Sequence, residues 1–449
     1  MPSFNGVKAG WTSPTTVDGD VYAEPLVIGT TVVIATENNT VYGLNASNGS
    51  VIWQRNLGPA VSAASLPCGN VDPVGITSTP VADPTASLVY AVGLVQPSLQ
   101  PLQYVLAAIK LSDGTISWHR SLSIAGFDPA IENQRGALAL NNGTLYIPFG
   151  GRAGDCGAYH GYLLATPATS TGGVTFFQSS SDTAGGFWQP AGPSIDAAGN
   201  VYVTSGNTND SGPNTYDGGE TVFKLSPSLA PLDYFAPSDW HNLNAGDTDL
   251  GSTGPLPLGN SWVFQIGKAG VGYLLDQHHL GGIGGAVYSA QVCSATIDAA
   301  FGGLAYAPPY IYIPCSDGVV AIKLATTPCG MTFTAAWKGP NTFASPPIVA
   351  GGLLWIIDRG GIFYALDPGS GAIVFSQNLA SADHFATPAA GDGAIFVAAT
   401  NQVYSFVSNG TPGSPPAQSP TPTFKGPAAW WCPIPASGPS PPAVPWWQR

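Results

Sequence analysis

The stretch NTVYGLNASNGSVIWQRNLG, residues 39–58, has the pattern of two β-strands joined by a turn. The segment TVYGL alternates, NASNG interrupts the alternation, and SVIW resumes it up to Trp53. Alternation with a period of two is typical of half-buried strands, and an Asn–Gly pair favours a tight hairpin turn. The stretch therefore predicts a β-hairpin that ends on a tryptophan.

Similar hairpins recur at residues 104–122 (YVLAAIKLSDGTISWHRSL) and 361–379 (GIFYALDPGSGAIVFSQNL). Units that begin at residues 24, 78, 345 and 386 share one order of strands, and weaker copies begin near residues 135, 189, 249 and 301. Eight units at a spacing of roughly 35–60 residues predict eight four-stranded propeller blades. A single blade cannot cover both of its apolar faces, so the blades must stack around an axis.

The eighth unit, residues 386–407, is one strand short. The N-terminal segment GVKAGWTSP has the pattern of a strand, contains Trp11, and belongs to no other blade. Adding this strand to the last blade would close the ring and remove an exposed edge. We therefore expect an all-β, eight-bladed β-propeller over residues 1–407, closed by the N-terminal strand, and a separate Pro-rich, Trp-containing tail over residues 408–449.

The repeats resemble those of the quinoprotein-like (PQQ-repeat) propeller family, whose repeat has the form vYALDaxtGxvxWxxxl. The resemblance covers about residues 7–407, and residues 247–259 (DTDLGSTGPLPLG) and 267–276 (GKAGVGYLLD) are similar to segments of the family. The family includes pyrroloquinoline-quinone (PQQ) alcohol dehydrogenases, outer-membrane assembly lipoproteins and secreted propellers without known activity. The resemblance thus implies the fold and leaves the activity open.

In the dehydrogenases of this family, PQQ lies on the axis between a tryptophan and a disulfide of two adjacent cysteines. Acidic and amide oxygens hold a calcium ion beside it, and an aspartate acts as base. This sequence has no adjacent cysteines and no CxxCH haem motif, and it is shorter than those enzymes. The resemblance therefore favours a secreted or outer-membrane-assembly type of propeller, a binding or assembly module without catalysis or cofactor that retains no PQQ. A PQQ-dependent oxidoreductase with calcium and a carbohydrate-binding propeller are the alternatives.

Residues just before each innermost strand should meet around the axis at one end of the propeller. Several of these positions are polar or aromatic, which predicts an axial pocket with an arginine for anions, carboxylates for a cation or for hydroxyls, and a tryptophan platform. Hard oxygen ligands there would suit calcium better than zinc. The candidates are Glu24, Arg135, Trp188, Gln189, Asp247, Asp249 and His384. The alternative is structural, with Arg135 simply paired to Glu24 or Asp249.

Other histidines are weaker candidates. His278 and His279 fall in an outer hairpin turn, where a solvated pair is expected rather than a metal site. His160 begins a strand beside Cys156 and is expected to be a structural hydrogen-bonding residue rather than a base.

Six cysteines, none in CxxC spacing, are compatible with disulfides and an oxidising compartment. Two pairs would cross-link successive blades, namely Cys68–Cys156 and Cys293–Cys315. The remaining Cys329 and Cys432 are expected to pair, either within the chain or between copies.

The net charge of −13 makes nucleic acid an unexpected partner, because a negative chain repels phosphate backbones. Few charged residues favour an extracellular or cell-surface setting, and an acidic one is an alternative to simple drift in composition, which would give the same numbers. No signal peptide or transmembrane run is visible, and six glycosylation sequons begin at Asn38, Asn45, Asn48, Asn142, Asn209 and Asn409. The four tail tryptophans are expected to dock on the propeller wall, on a neighbouring subunit or on another protein partner.

Overall fold

The structure is a computed structural model that describes residues 1, 3–98, 100–180, 182–209, 215–295, 297–328, 330–382 and 385–410. The strands of these residues form eight antiparallel blades arranged in a ring. Within each blade the chain runs from the axis to the rim, so that the first strand is innermost. The prediction of an eight-bladed propeller is confirmed.

The strands of the first four blades follow the predicted units. Blade 1 contains Leu26–Ile28, Thr31–Ala35, Thr40–Asn45 and Val51–Asn56; blade 2 contains Val81–Asp83, Leu88–Val95, Gln103–Lys110 and Ile116–Leu122. Blade 3 contains Ala139–Asn141, Thr144–Gly151, Tyr162–Pro167 and Thr175–Gln178; blade 4 contains Ser194–Ile195, Val201–Thr204, Val222–Leu225 and Pro231–Ala236. Two short strands extend these sheets, Glu132–Asn133 in blade 3 and Gly282–Ile283, which pairs in parallel with the rim strand of blade 4.

The other four blades complete the ring. Blade 5 contains Leu256–Leu258, Trp262–Gln265, Val271–Asp276 and Tyr288–Gln291; blade 6 contains Ala305–Ala307, Tyr310–Cys315, Gly318–Thr327 and Gly330–Lys338. Blade 7 contains Ile348–Ala350, Leu353–Ile357, Ile362–Leu366 and Ile373–Asn378; blade 8 contains Ala389–Gly391, Ala394–Ala399, Gln402–Ser408 and Val7–Thr12. The described helices are short: an α-helix at Trp240–Ala245 and 3₁₀ helices at Ala63–Ser65 and Leu250–Ser252.

The N-terminal strand closes the ring as predicted. Val7–Thr12 pairs antiparallel with Gln402–Ser408 and becomes the rim strand of blade 8. Its tryptophan, Trp11, donates a hydrogen bond from Nε1 to the carbonyl of Ala46 in blade 1, at 2.8 Å. The closing strand therefore completes one sheet and attaches that sheet to the next.

The rim tryptophans explain why the repeated hairpin ends on an aromatic residue. Trp53 of blade 1 donates from Nε1 to the carbonyl of Leu111 in blade 2, and its ring lies against Gly114 in the same turn. Gly114 has a φ of +69°, and a β-carbon there would lie 2.6 Å from the ring. The polar Gly turn of one blade is thus the docking site for the tryptophan of the blade before it.

Two disulfides match the predicted pairs. Cys68–Cys156 joins loops near the axis, and Cys293–Cys315 ties the end of blade 5 to the second strand of blade 6. The predicted pairing of Cys329 with Cys432 lies outside the described residues, as do the contacts of tail residues 411–449. No helix in the described part of the chain has the length and apolar character of a membrane span.

Candidate functional site

A cavity runs along the axis and is narrowest where the innermost strands begin. This inner cavity has a volume of about 210 Å³. Six blades contribute to its wall the residue two positions before their innermost strand, as the sequence predicted. These residues are Glu24, Thr79, Ala137, Gly303, Pro346 and Thr387.

The axial cavity widens into a funnel mouth of about 410 Å³, a volume typical of small-ligand sites. Arg135, Tyr22 and Phe385 line both parts. Four of the 13 basic residues of the chain line the mouth, namely Arg135, Arg152, Lys268 and Arg359. Four aspartates line it as well, namely Asp155, Asp247, Asp249 and Asp298. The mouth is therefore charged but not uniformly positive.

One wall of the mouth is polar and centred on Lys268, in the turn between the second and third strands of blade 5. Its ammonium lies 2.6 Å from Asp249 and 3.3 Å from Asp247. Asp249 also accepts a hydrogen bond from the backbone N–H of Asn207. Burial raises the pKa of Asp249 to about 6, although Lys268 acts to lower it. The positive charge of Lys268 is therefore balanced by two carboxyl groups of the protein itself.

Trp188 lines the same mouth. Its Nε1 donates to the carbonyl of Gly151 at 3.0 Å. The ring lies against Gly150 and Gly186, where a β-carbon would approach it to 2.5 Å. Glycines on the adjacent backbone therefore give the ring the room it needs to lie flat beside the cavity.

The opposite wall is aromatic. The ring centroids of Phe301 and Phe343 lie 6.0 Å apart in a stacked pair, and that of Phe385 lies 6.3 Å from Phe301. The guanidinium of Arg135 sits over the ring of Phe385, at 4.0 Å from its centroid. Within the described residues, Asp249 pairs with Lys268 rather than with Arg135, and Glu24 has no ion pair.

Two candidates are not part of this lining. Gln189 is fully buried, and both polar atoms of its amide lack a hydrogen-bond partner, so it lies behind the wall of the mouth. His384 lies outside the described residues. The weaker histidine candidates contact other parts of the protein. The His160 ring contacts the carbonyl of Asp182 at 3.0 Å. The exposed His279 lies 3.4 Å from the carboxylate of Asp233.

Arg152 is the most informative residue that the sequence analysis missed. It follows the second strand of blade 3, lines the mouth, and is only 2 % exposed. Its Nε donates to the carbonyl of Ala130 at 2.7 Å, and its Nη2 donates to the carbonyl of Pro129 and the hydroxyl of Tyr104. All three acceptors are neutral, and in the described part of the chain no carboxylate lies within ion-pair distance of this buried cation.

All four glutamates of the chain are enclosed by protein near the axial cavity. Glu24 lines the inner cavity and is partly accessible from it, and burial raises its pKa to about 8. Burial likewise raises the pKa of Glu37 to about 7 and that of Glu132 to about 8. The pKa of Glu220 is raised well above its usual value for the same reason. These side chains therefore hold their protons at weakly acidic pH.

The mouth does not fit the calcium–quinone arrangement that the family resemblance implies. Trp188 is present, but the nearby disulfide joins Cys68 to Cys156 across 88 residues rather than two adjacent cysteines. Asp247 and Asp249 are both paired with Lys268. No group of three or more His, Cys, Asp or Glu side chains among the described residues is placed to hold a metal ion. We derive no catalytic step through PQQ from this geometry.

Comparisons with known proteins agree with the fold. The family profile described as "Outer membrane protein assembly factor BamB" matches residues 8–209. None of the curated protein sequences matches the chain.

Several solved structures superimpose on most of the chain at low sequence identity. Quinohemoprotein alcohol dehydrogenase ADHIIG from Pseudomonas putida HK5 is 16 % identical, with a TM-score of 0.68 over 93 % of this chain and 78 % of its own. The quinohemoprotein alcohol dehydrogenase from Comamonas testosteroni is 14 % identical, with a TM-score of 0.67 over 92 % of this chain and 78 % of its own. BamB from Moraxella catarrhalis is 13 % identical, with a TM-score of 0.58 over 90 % and 98 %.

At these identities the structures show the fold alone. The family match to residues 8–209 adds the sequence evidence that a shared fold cannot supply. Taken together, the eight-bladed ring and the family match over residues 8–209 show a β-propeller whose first half is similar to the PQQ-repeat family.

Proposed function

We propose that this protein is a secreted or cell-surface binding module without catalysis, and that the funnel mouth is its ligand site. The ligand would combine a carboxylate with a flat apolar group. The observation that carries the proposal is the pairing of a buried, unmatched cation with an aromatic wall in one cavity. Arg152 supplies the cation, and Phe301, Phe343 and Phe385 supply the wall.

The physical argument rests on what burial costs. A charge held out of water is unfavourable unless an opposite charge or hydrogen bonds compensate for it. Lys268 has that compensation from two aspartates, whereas Arg152 has only neutral acceptors. A carboxylate that enters the mouth would supply the missing negative charge. The phenylalanines would then cover the apolar part of the same ligand, because aromatic side chains stack well on flat groups.

The experiment is calorimetric titration with 3-phenylpropionate at pH 5.5. We expect saturable binding to one site, and a loss of about tenfold or more in affinity when Arg135→Ala removes the guanidinium that stacks on Phe385. Ile52→Ala is the control, because Ile52 is an apolar residue 49 % exposed on the outer rim. Maltose is the control ligand, since it has hydroxyls but no charge.

Three results would contradict the proposal. One is the absence of binding by the folded wild-type protein. Another is a loss of affinity in Ile52→Ala with none in Arg135→Ala, which would place the binding surface on the rim. The third is binding of maltose in preference to the acid, which would favour the carbohydrate-binding alternative.

The tail suggests a second contact, by which copies of the chain would assemble. The mouth lies where the innermost strands begin, and the third strand of blade 8, Gln402–Ser408, starts on that face and ends on the opposite one. Gly410, the last described residue, contacts Asn5 on that opposite face. The described chain therefore ends on the face away from the mouth, and residues 411–449 follow it in the sequence. They carry Lys425 and Arg449 and no acidic side chain, whereas the whole chain has a charge of −13.

We expect the full chain to self-associate through this tail, because a basic, tryptophan-containing segment complements an acidic neighbour. Light scattering coupled to gel filtration should give a mass that rises with concentration for residues 1–449 and a constant monomer mass for residues 1–410. The matched control is the full chain with all four tail tryptophans, Trp430, Trp431, Trp446 and Trp447, changed to serine. Equal masses for the long and short chains at every concentration would contradict this part of the proposal.

A further inference from the structure

We propose that Arg152 forms an acid-gated anion site, which binds the anionic group of a ligand while Glu37 and Glu132 are protonated and releases it when they ionise. This inference rests on the proposed ligand site in the mouth and adds to it the residue that anchors the charge and the condition under which it does so. The ligand class is a carboxylate or another oxyanion such as a sulfonate.

Arg152 is held in place by groups that do not neutralise it. Three bonds to Ala130, Pro129 and Tyr104 fix one edge of the guanidinium. These bonds use Nε and Nη2, which leaves Nη1 to donate a charge-assisted hydrogen bond to an oxyanion. Arg152 lines the mouth, so the oxyanion would approach the guanidinium from there.

Two buried carboxyl groups lie close enough to Arg152 for its charge to act on both. Glu132 is paired in the sheet with Gly151, the neighbour of Arg152 in the chain, and its backbone carbonyl accepts a hydrogen bond from Tyr104. Glu37 comes from blade 1 and accepts hydrogen bonds from the backbone N–H of Gly75 and the hydroxyl of Thr77, a residue that lines the mouth.

Each of these carboxyl groups has one satisfied and one unsatisfied oxygen. The Oε1 of Glu132 accepts a bond from the backbone N–H of His160, and its Oε2 is buried without a partner. The Oε2 of Glu37 accepts two bonds, and its Oε1 is buried without a partner. A carboxylate needs several donors when it is buried, so this geometry suits the protonated acid better than the anion.

Other titratable groups surround the site. Glu24 and Asp249 also line the cavity, with pKa values raised to about 8 and about 6, so they add to the fall in affinity, whereas Glu37 and Glu132 feel the charge of the guanidinium itself. Asp20 acts on Glu37 and Asp128 acts on Glu132, and both favour the protonated form. Asp155, in the same turn as Arg152, accepts a hydrogen bond from Tyr159. The Tyr104 hydroxyl is neutral in this range, because burial raises its pKa.

The direction of the gate follows from these charges. Below about pH 7 both glutamates are neutral, and the mouth presents the full charge of Arg152 to an anion. As the pH rises through about 7 for Glu37 and about 8 for Glu132, two negative charges form beside the guanidinium. Their charge offsets that of the guanidinium and repels the ligand, so the affinity falls. By linkage, an anion that binds near the midpoint must be accompanied by proton uptake.

The test uses benzenesulfonate, which stays anionic across the range, and titration calorimetry at pH 5.5, 7.5 and 9. We expect the affinity to fall about tenfold or more between pH 5.5 and pH 9, a usual size for coupling between sites. At pH 7.5, titrations in buffers of different ionisation enthalpy should reveal proton uptake. Arg152→Gln should lose binding at every pH, and Lys110→Gln, which removes an exposed charge away from the mouth, should not.

A double variant tests the inference even if Arg152→Gln does not fold. Glu37→Gln with Glu132→Gln keeps the side-chain shapes but cannot ionise at these positions, so its affinity should fall clearly less than that of the wild type between pH 5.5 and pH 9. Asp249 and Glu24, with pKa values of about 6 and about 8, account for the fall that remains. A fall as large as that of the wild type, the absence of proton uptake, or full affinity in a folded Arg152→Gln protein would overturn the inference. In each of these cases the mouth still binds, whereas failure of the proposed function means no binding by the wild type at any pH.

Discussion

The free energy of unfolding should fall as the pH rises from about 5 to about 9, because buried glutamates must then lose their protons. Glu37 has a folded pKa of about 7 and Glu132 of about 8, both well above the usual 4.5. The pKa of Glu220 is raised in the same direction. Once the pH exceeds 4.5, the unfolded chain releases protons that the folded protein retains, so each further rise in pH favours unfolding until the folded pKa is passed.

The expected loss is large relative to the stability of a domain. One unit of pKa difference corresponds to about 1.4 kcal/mol, and several units act here, so the loss is on the order of several kcal/mol. Other groups oppose it only at lower pH: in Asp196, burial is outweighed by hydrogen bonds from Asn200 and Gln277, and the lowered pKa gives a stability that is lost under strong acid. The stability maximum should therefore lie in weak acid.

Urea unfolding at pH 5, 7 and 9 measures this effect directly. The variant in which Glu37, Glu132 and Glu220 are all glutamine should show a flatter profile, because an amide has no proton to lose. The control is Asp392→Asn, which changes an exposed carboxyl whose removal should leave the profile unchanged. A wild-type stability that stays constant or increases up to pH 9 would contradict the assignment of neutral, buried glutamates.

Deleting residues 1–14 should produce a protein that aggregates, because it opens the ring at blade 8. The strand Gln402–Ser408 would lose its partner and present an unpaired edge. The deletion also removes Phe4, which packs edge-on against Trp355, and Trp11, which docks on blade 1. Sedimentation and thermal unfolding should show a several-fold loss of soluble protein and a lower melting temperature.

Two controls separate strand loss from side-chain loss. Trp11→Ala keeps the strand and should stay soluble, at a cost of about 3 kcal/mol, the lower end of the range for a core aromatic. A synthetic peptide of residues 1–14, added during refolding, should restore solubility to the truncated chain by filling the vacant edge. A truncated protein that remains monomeric at the wild-type melting temperature would show that the closing strand is dispensable.

The fold was predictable from the sequence because the blades repeat the same local pattern of alternating strands and turns. The hairpin of residues 39–58 already contained the alternation, the Gly turn and the terminal Trp53 that the structure uses. The missing eighth strand and the unassigned strand around Trp11 predicted the closure. Two disulfides were predictable for a similar reason, since the order of the blades brings their loops together.

The site was predictable only in part, because the sequence pattern singles out only the positions just before each innermost strand. Positions before the innermost strands do face the axis, and Glu24 and Arg135 line the inner cavity there. Turns after the second strand face the same mouth, and they supply Arg152, Lys268 and Arg359, which went unnoticed. Gln189 is fully buried and is not among the residues that line the mouth, a burial that spacing alone does not give.

The chain contains few glutamates, and burial raises the pKa of each of them. A chain with only 9 % charged residues and four glutamates has placed all four next to the axial cavity. In weak acid those side chains remain neutral and the proposed anion site is open.

The most direct test of the ligand site is a crystal structure of the protein grown at pH 5.5 with 3-phenylpropionate. The account predicts one molecule in the funnel mouth, with its carboxylate within hydrogen-bond distance of Arg152 or Arg135 and its ring against Phe301, Phe343 or Phe385. A ligand bound on the outer rim, with the mouth filled only by water, would contradict it.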